Sequence, residues 1–315
     1  MKICDLTFLY FPRGGGIKTY IDTKRIEYKK LHIRHFIIAP DTMMRNKVIK
    51  EDDGCLSIYY VPSIRMTVYG VTYFLFKHFS FIEEILRQER PDIIEIGDKF
   101  TPLFFGKKIK NIAKELNSKV FVFSHERADN FVLVAFDLYK RQGIMNKIKT
   151  FFFVSFEKIL LKAFIYTGHE ILCNSEFTAE EIKSLTSKKI HIVPLGINDE
   201  AFSSKDYDEK LHSELSDWGK KKILIHVGRI DKDKKIELLI EFAKKLDPHK
   251  YCLLVVGGGR MEDELKKISS VVLIGYIMPE NVKKYLAISD LGILVNDIEP
   301  FGLVALEIIA SGLPI

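Results

Sequence analysis

The sequence predicts an α/β protein made of two doubly wound, Rossmann-like units in series. Three observations predict it. Strand signals and helix signals alternate along nearly the whole chain. A polar, charge-rich stretch at 199–220 breaks the alternation, which then restarts. A chain of 315 residues exceeds one typical core and suits two. The expected boundaries are 1–198 for the first unit, 199–220 for a linker and 221–315 for the second unit.

In the first unit "MKICDLTFLY" has the pattern of a buried strand, a glycine loop follows, and "IKTYIDTKRIEYKK" is helical. "HIRHFIIAP" predicts a strand, "LSIYYVPS" a hairpin strand and "TYFLFKHFSFIEEILRQ" a helix. "PDIIEIGD" is a strand bounded by Pro and Gly-Asp, "FFGKKIKNIAKEL" a helix, "SKVFVFSH" a strand and "MNKIKTFFFVSFEKILLKAF" a long helix. "HEILCNS", "FTAEEIKSL" and "KIHIVPLGIN" complete a strand, helix, strand series. In the second unit "KKILIHVG", "YCLLVVGGG", "VVLIG" and "DLGILVN" are strands. The helices between and after them are "KKIELLIEFAKKL", "RMEDELKKI", "PENVKKYLAI" with Pro in its first turn, and "LVALEIIASG" with Gly312 as its stop. Such alternation implies mostly parallel sheets with helices on both faces.

Composition narrows the function classes. The net charge of +6 is mild, and no basic block is dense enough for a nucleic-acid arm; a pocket for an anionic small molecule uses the excess equally well. Cys4, Cys55, Cys173 and Cys252 form no CxxC pair, which fits buried thiols in a reducing cytoplasm. The N-terminus does not resemble a signal peptide, and no apolar run reaches the roughly 18 residues of a membrane span. "MNKIKTFFFVSFEKILLKAF" mixes Lys147, Lys149, Lys158 and Lys162 with phenylalanines. It is read as a core-packed helix, with an interfacial helix in peripheral membrane contact as the alternative.

Ligands of open α/β sheets bind beyond the carboxyl ends of the strands, so the loops there are the candidates. After the first strand, Gly14, Gly15 and Gly16 open a helix whose unpaired N–H groups suit an anion, although the spacing is not the dinucleotide fingerprint. Arg229 leaves the strand "KILIHVG", and Lys232, Lys234 and Lys235 follow at the start of the next helix. Cations there oppose the helix dipole, so local stability does not explain them, whereas a phosphate would. The "DKD" within this cluster is surrounded by cations, which argues against a metal site. His125, at the end of "VFVFSH", is placed to hydrogen-bond a sugar hydroxyl or phosphate, or to shuttle a proton.

The last loop, "EPFG", puts the N–H groups of Phe301, Gly302 and Leu303 at the ligand edge, where they suit a diphosphate. Glu299 lies in that loop, and Glu307 about one turn into the helix among Leu306, Ile308 and Ile309, which argues against a well-solvated position. Carboxylates accept hydrogen bonds from diols. A ligand with two sugars joined by a diphosphate would give each glutamate one sugar.

With these residues, the chain resembles the retaining glycosyltransferases of family 4, which have the two-domain GT-B fold around a central cleft. "EPFGLVALEIIASGLPI" is similar to the family's E-x7-E stretch, "HVGRIDKDKKIELLI" to its "VGRLxxxKGxxxLI" and "VPLGIN" to its "IPNGVD". The N-terminal glycine loop and the "VFVFSH" histidine fall in the family's order. The resemblance implies that Arg229 and Lys234 grip the donor diphosphate, that Glu299 approaches the donor sugar and that Glu307 meets the nucleotide ribose. His125 and the loop at Gly15 and Gly16 would reach across the cleft from the acceptor domain. The family's Lys-Gly pair is Lys234-Lys235 here. The implied reaction moves a sugar from a nucleotide-diphosphate sugar to a glycan, lipid or small-molecule acceptor, with retained configuration and neither metal nor cofactor. The chain ends at Ile315, where the family continues, so the second unit is expected to be incomplete at its C-terminus. A GT-B nucleotide-sugar epimerase and a non-catalytic nucleotide-sugar binding protein are the competing readings.

Overall fold

A computed structural model describes residues 1–12, 15–52, 56–68, 71–125, 144–198, 202, 207–217, 219–296 and 301–315. The chain divides into two compact units, Met1–Leu195 and Gly196–Ile315. Within the stretch expected as a linker, Glu209–Leu215 form a short helix, with Asp208 accepting from the Leu211 N–H at its start.

The first unit is built on an eight-stranded sheet. Its strands are β1 (Lys2–Leu6), β2 (Arg34–Pro40), β3 (Ile49–Asp52), β4 (Leu56–Val61), β7 (Ile93–Ile96), β8 (Lys119–Ser124), β9 (Glu170–Cys173) and β10 (Ile190–Ile192). The order is β10-β9-β8-β7-β1-β2-β4-β3, parallel except for β3, which forms a hairpin with β4. The central strands are apolar on both faces because helices cover both. One face packs Cys4, Leu6, Phe36, Ile38, Ile94 and Ile96 against α2 (Phe79–Glu89), α3 (Phe100–Leu116), α4 (Ile144–Thr167) and α5 (Glu176–Lys183). The other meets α1 (Gly15–Lys30) through Ile17 and Ile21.

The expected helix over 72–88 is corrected. Ser63–Val68 (β5) and Val71–Phe76 (β6) pair as an antiparallel hairpin, and α2 starts only at Phe79. An apolar run such as "TYFLF" satisfies either period, and here a cross-strand partner decides. Leu75 and Phe76 are buried, and the Phe76 ring lies 4.7 Å from that of Phe8.

Beneath α1 the sheet carries two acids. Asp5 and Glu95 are direct partners on β1 and β7, and both are buried. Like charges in that relation repel. Lys24 of α1 lies between them, its Nζ 2.6 Å from Asp5 and 2.7 Å from Glu95, and its side chain is 8% exposed. His35 Nε2 bonds the other oxygen of Asp5, and the Tyr20 hydroxyl donates to Glu95 at 3.1 Å. Burial opposes ionisation of Asp5, but Lys24 and His35 outweigh it and hold its carboxyl well below the usual range. Burial, opposed by Lys24 and reinforced by the charge of Asp5, lifts Glu95 above its usual value.

The second unit holds a four-stranded parallel sheet of β11 (Lys222–Val227), β12 (Tyr251–Val256), β13 (Val271–Gly275) and β14 (Leu291–Gly292), in the order β13-β12-β11-β14. Following α6 (Glu209–Leu215), its helices are α7 (Ile236–Lys245), α8 (Glu262–Leu265), α9 (Pro279–Ala287) and α10 (Leu303–Ala310). One face packs Leu224, Leu253 and Val255 against Ile236, Leu239 and Leu265. The other packs Ile223, Ile225 and Leu254 against Val282, Leu286 and Ile308. Among the described residues, no helix is long and apolar enough to cross a membrane.

Removing the cation under α1 tests the first unit's electrostatics. Lys24→Met should cost about 3–5 kcal/mol in urea denaturation at pH 7, because two opposed carboxyls lose their shared partner. A loss below about 1 kcal/mol would mean that the pair does not depend on Lys24.

Candidate functional site

In each sheet the strand order reverses beside the first strand of its unit. β1 lies between β2 and β7, and β11 lies between β12 and β14. The carboxyl ends of these pairs are the switch points where a crevice opens for ligands.

In the second unit, Gly228 and Arg229 continue β11 past its last ladder position. The next turn differs from the sequence expectation. Lys232–Lys234 form a separate 3-10 turn, Lys235 is left-handed at φ 52°, and α7 begins at Ile236. A side chain there costs about 1–2 kcal/mol relative to ordinary backbone. Lys235 stands where the related motif has glycine, and it takes the left-handed backbone that glycine favours. The charge of Lys234 reaches His226, where burial first and then that charge disfavour the imidazolium. His226 Nδ1–H donates to the Ile293 carbonyl at 2.9 Å, tying β11 to the continuation of β14.

The glycine turn after β12 is explained by packing. Gly257, at φ 139°, lies so close to Gly228 that an added Cβ would meet its carbonyl oxygen at 1.8 Å. At Gly259 the corresponding distance to the Ile230 oxygen is 2.2 Å. Ile230 N–H donates to Gly258 O at 3.0 Å, and Met261 N–H to Ile230 O at 3.1 Å. The loops after β11 and β12 are thereby zipped backbone to backbone, and the loop that carries Arg229 is held rigidly.

Helix α10 supplies the other side. Gly292 of β14 lies level with Ile225 and packs on Ile308, where a Cβ would meet that side chain at 2.7 Å. Leu303 precedes Ile308 by five residues, about 7.5 Å along the helix, and Val227 lies two residues, about 6.6 Å, beyond Ile225. The mouth of α10 therefore stands level with the end of β11, one strand across from the residues leading to Arg229. Gly302 is left-handed at φ 80° and caps the helix, its carbonyl accepting from Ala305 at 3.0 Å. The N–H groups of Phe301, Gly302 and Leu303 precede those bonds. Glu307 is half-buried, and burial alone pushes its carboxyl up to about 7, as its apolar neighbours foretell. Glu299 lies outside the described residues.

In the first unit, the structure brings the remaining candidates to one edge. Gly15 starts α1 at φ 61° with nothing within 4 Å of its Cβ direction, and Gly16 follows it. His125 follows β8. Its ring lies 4.1 Å from that of Phe123 and 5.0 Å from that of Tyr20. A Cβ on Gly97, at the end of β7, would meet its Nε2 at 3.2 Å and Ile17 of α1 at 3.9 Å. Burial, with a lesser contribution from Lys24, pushes the His125 imidazole down to about 3, so it is neutral near pH 7. Its Nδ1 has no hydrogen-bond partner among the described residues. Gly97, Tyr20, His226 and Arg260 escaped sequence reasoning, and Asp231 entered it only within the "DKD" set aside as a metal site. Only Asp231 had a local signal, an acid opening a lysine-rich turn.

Residues 14–201 match the family described as Glycosyltransferase Family 4, and residues 208–315 match Glycosyl transferases group 1. The chain is 27% identical over 329 residues to alpha-monoglucosyldiacylglycerol synthase of Streptococcus pneumoniae, covering all of this chain and 70% of that one. It is 25% identical over 327 residues to the GDP-mannose-dependent alpha-(1-6)-phosphatidylinositol dimannoside mannosyltransferase of Mycobacterium tuberculosis, covering all of this chain and 78% of that one. The fold matches sucrose-phosphate synthase from Thermosynechococcus elongatus with a TM-score of 0.74 at 17% identity, over all of this chain and 80% of that one. The architecture is GT-B, and with a family match across more than half its length the chain belongs to glycosyltransferase family 4.

Proposed function

We propose that this glycosyltransferase moves a sugar from a nucleoside-diphosphate sugar to a lipid or glycolipid acceptor with retention of anomeric configuration. The donor half is supported by the order of the second sheet, in which β11, followed by Arg229 and Lys234, pairs with β14, followed by α10. Charge grows on the diphosphate as the glycosidic bond breaks. Two cationic side chains and preorganised N–H groups stabilise that charge without reorganising, and the reading calls for no metal or cofactor. Glu307 accepts from the ribose diol, and Glu299 approaches the donor sugar, as the family motif implies. For His125 and the Gly15–Gly16 helix mouth, the family resemblance implies a role in the acceptor-side unit. Retention is supported by the motif resemblance.

The lipid acceptor is supported by the names of the two relatives, one acting on a diacylglycerol and the other on a phosphatidylinositol. The outer face of α4 supports the same reading. It buries Leu160, Leu161 and Phe164, as a core-packed helix should, yet leaves Phe151 and Phe152 70% and 67% exposed beside the exposed Lys158 and Lys162. Aromatic rings with flanking lysines suit an anionic bilayer surface, here assigned to the cytoplasmic side, where the free thiols Cys4, Cys173 and Cys252 stay reduced.

The direct test incubates the chain with individual nucleotide sugars and a diacylglycerol acceptor in EDTA, and reads the product's anomeric configuration by NMR. Transfer with retention is expected, and Arg229→Ala should slow it by about 10²–10³-fold. An inverted product, interconversion of the donor without transfer, or an unimpaired variant would overturn the assignment. Glu307 adds a pH signature. Its ionised form accepts from the diol, so nucleoside-diphosphate affinity should rise with pH up to about 7 and level off above it. Glu307→Gln should bind more weakly with a flat profile, as read by calorimetry from pH 5.5 to 8.5. For the surface, Phe151→Ser/Phe152→Ser should reduce co-sedimentation with anionic vesicles. Equal sedimentation of variant and wild type would remove α4 from membrane contact.

A further inference from the structure

Asp231 occupies the N-cap position of the 3-10 turn, where an aspartate ordinarily accepts the turn's own N–H groups. Its side chain makes no such bond. Oδ2 accepts from an Arg229 terminal nitrogen at 3.1 Å. Oδ1 accepts from Arg260 Nε at 2.9 Å and from the Arg260 backbone N–H at 3.2 Å. The carboxylate is buried, whereas the side chains of Arg229 and Arg260 are 53% and 69% exposed. One acid thus holds two guanidinium groups, at the carboxyl ends of the neighbouring strands β11 and β12.

A clamp between the two loops would be the plain explanation. It is redundant, because the backbone bonds of Ile230 and Met261 and the close packing at Gly257 and Gly259 already join them. Ion pairs with exposed arginines also add little stability. What the carboxylate adds is orientation of two planar forks, and paired forks match phosphate oxygens. The shared carboxylate holds both forks within the span of one diphosphate.

We infer that Asp231 is a positioning residue that orients Arg229, and that Arg260, held by the same carboxylate, is a second guanidinium contacting the nucleoside diphosphate. This rests on the proposed donor site and extends it to a loop that the sequence motifs left unassigned. The carboxylate between them keeps the two forks from repelling each other apart.

The experiment titrates the full chain with UDP, GDP and ADP by calorimetry, with the matching nucleosides as controls, alongside steady-state kinetics. Arg260→Gln should weaken nucleoside-diphosphate binding by about tenfold, the worth of one charge-assisted hydrogen bond. Nucleoside binding should be unchanged, and the salt dependence of diphosphate binding should become shallower. Asp231→Asn should lower kcat/KM by at least about tenfold, with Asp231→Glu restoring part of it. Arg260 is a surface residue, so its variant reports even if Asp231→Asn fails to fold. Wild-type affinity in Arg260→Gln, whatever its Tm, would overturn the inference while leaving the donor site standing. A wild-type chain that binds no nucleoside diphosphate would overturn both.

Discussion

Parallel pairing of one central strand with neighbours on both sides is the constraint on which this molecule depends. β1 between β2 and β7, and β11 between β12 and β14, are covered by helices on both faces. No polar chemistry can be reached through such faces. What remains accessible is the row of strand ends, where helices begin with unpaired N–H groups and the chain carries side chains outward. In the second unit Arg229 and Lys234 follow β11 and the α10 mouth follows β14, strands that pair side by side. His125, Gly97 and the α1 mouth converge in the first unit.

The polar exceptions inside the first unit are tied to its edge. Asp5 and Glu95 face one another on adjacent strands and depend on Lys24 from α1. The helix that neutralises them also carries Tyr20, whose hydroxyl bonds Glu95 and whose ring contacts His125. Burial and the Lys24 charge then keep that histidine neutral. Core electrostatics and the state of an edge residue are thus set by one helix.

Glycines divide between two physical tasks. Gly15 and Gly302 take left-handed backbone at helix starts, while Gly257, Gly259 and Gly292 admit backbone or side chains closer than a Cβ allows. Lys235 shows that a left-handed turn is kept even where the glycine is not. The cost is of order 1–2 kcal/mol, small enough for surrounding contacts to absorb.

Periodicity and strand-end residues made much of this legible in the sequence. The alternation of "KILIHVG", "YCLLVVGGG" and "DLGILVN" with amphipathic helices determined a parallel sheet, and the rule of strand ends then singled out Arg229, Lys234, His125 and the "PFGL" helix mouth. Where local pattern was ambiguous, tertiary contacts decided. "TYFLF" became a strand because residues 63–68 pair with it, and the lysine cluster became a 3-10 turn instead of a helix start. The strand order, the opposition of Asp5 to Glu95 and the sharing of Asp231 by Arg229 and Arg260 join residues up to 90 positions apart, which no local window can read. Sequence by itself determined most of the elements and the side chains at their ends, because those depend mainly on neighbours a few residues away. Only the tertiary structure decided which ends lie side by side, because that follows from long-range pairing and burial.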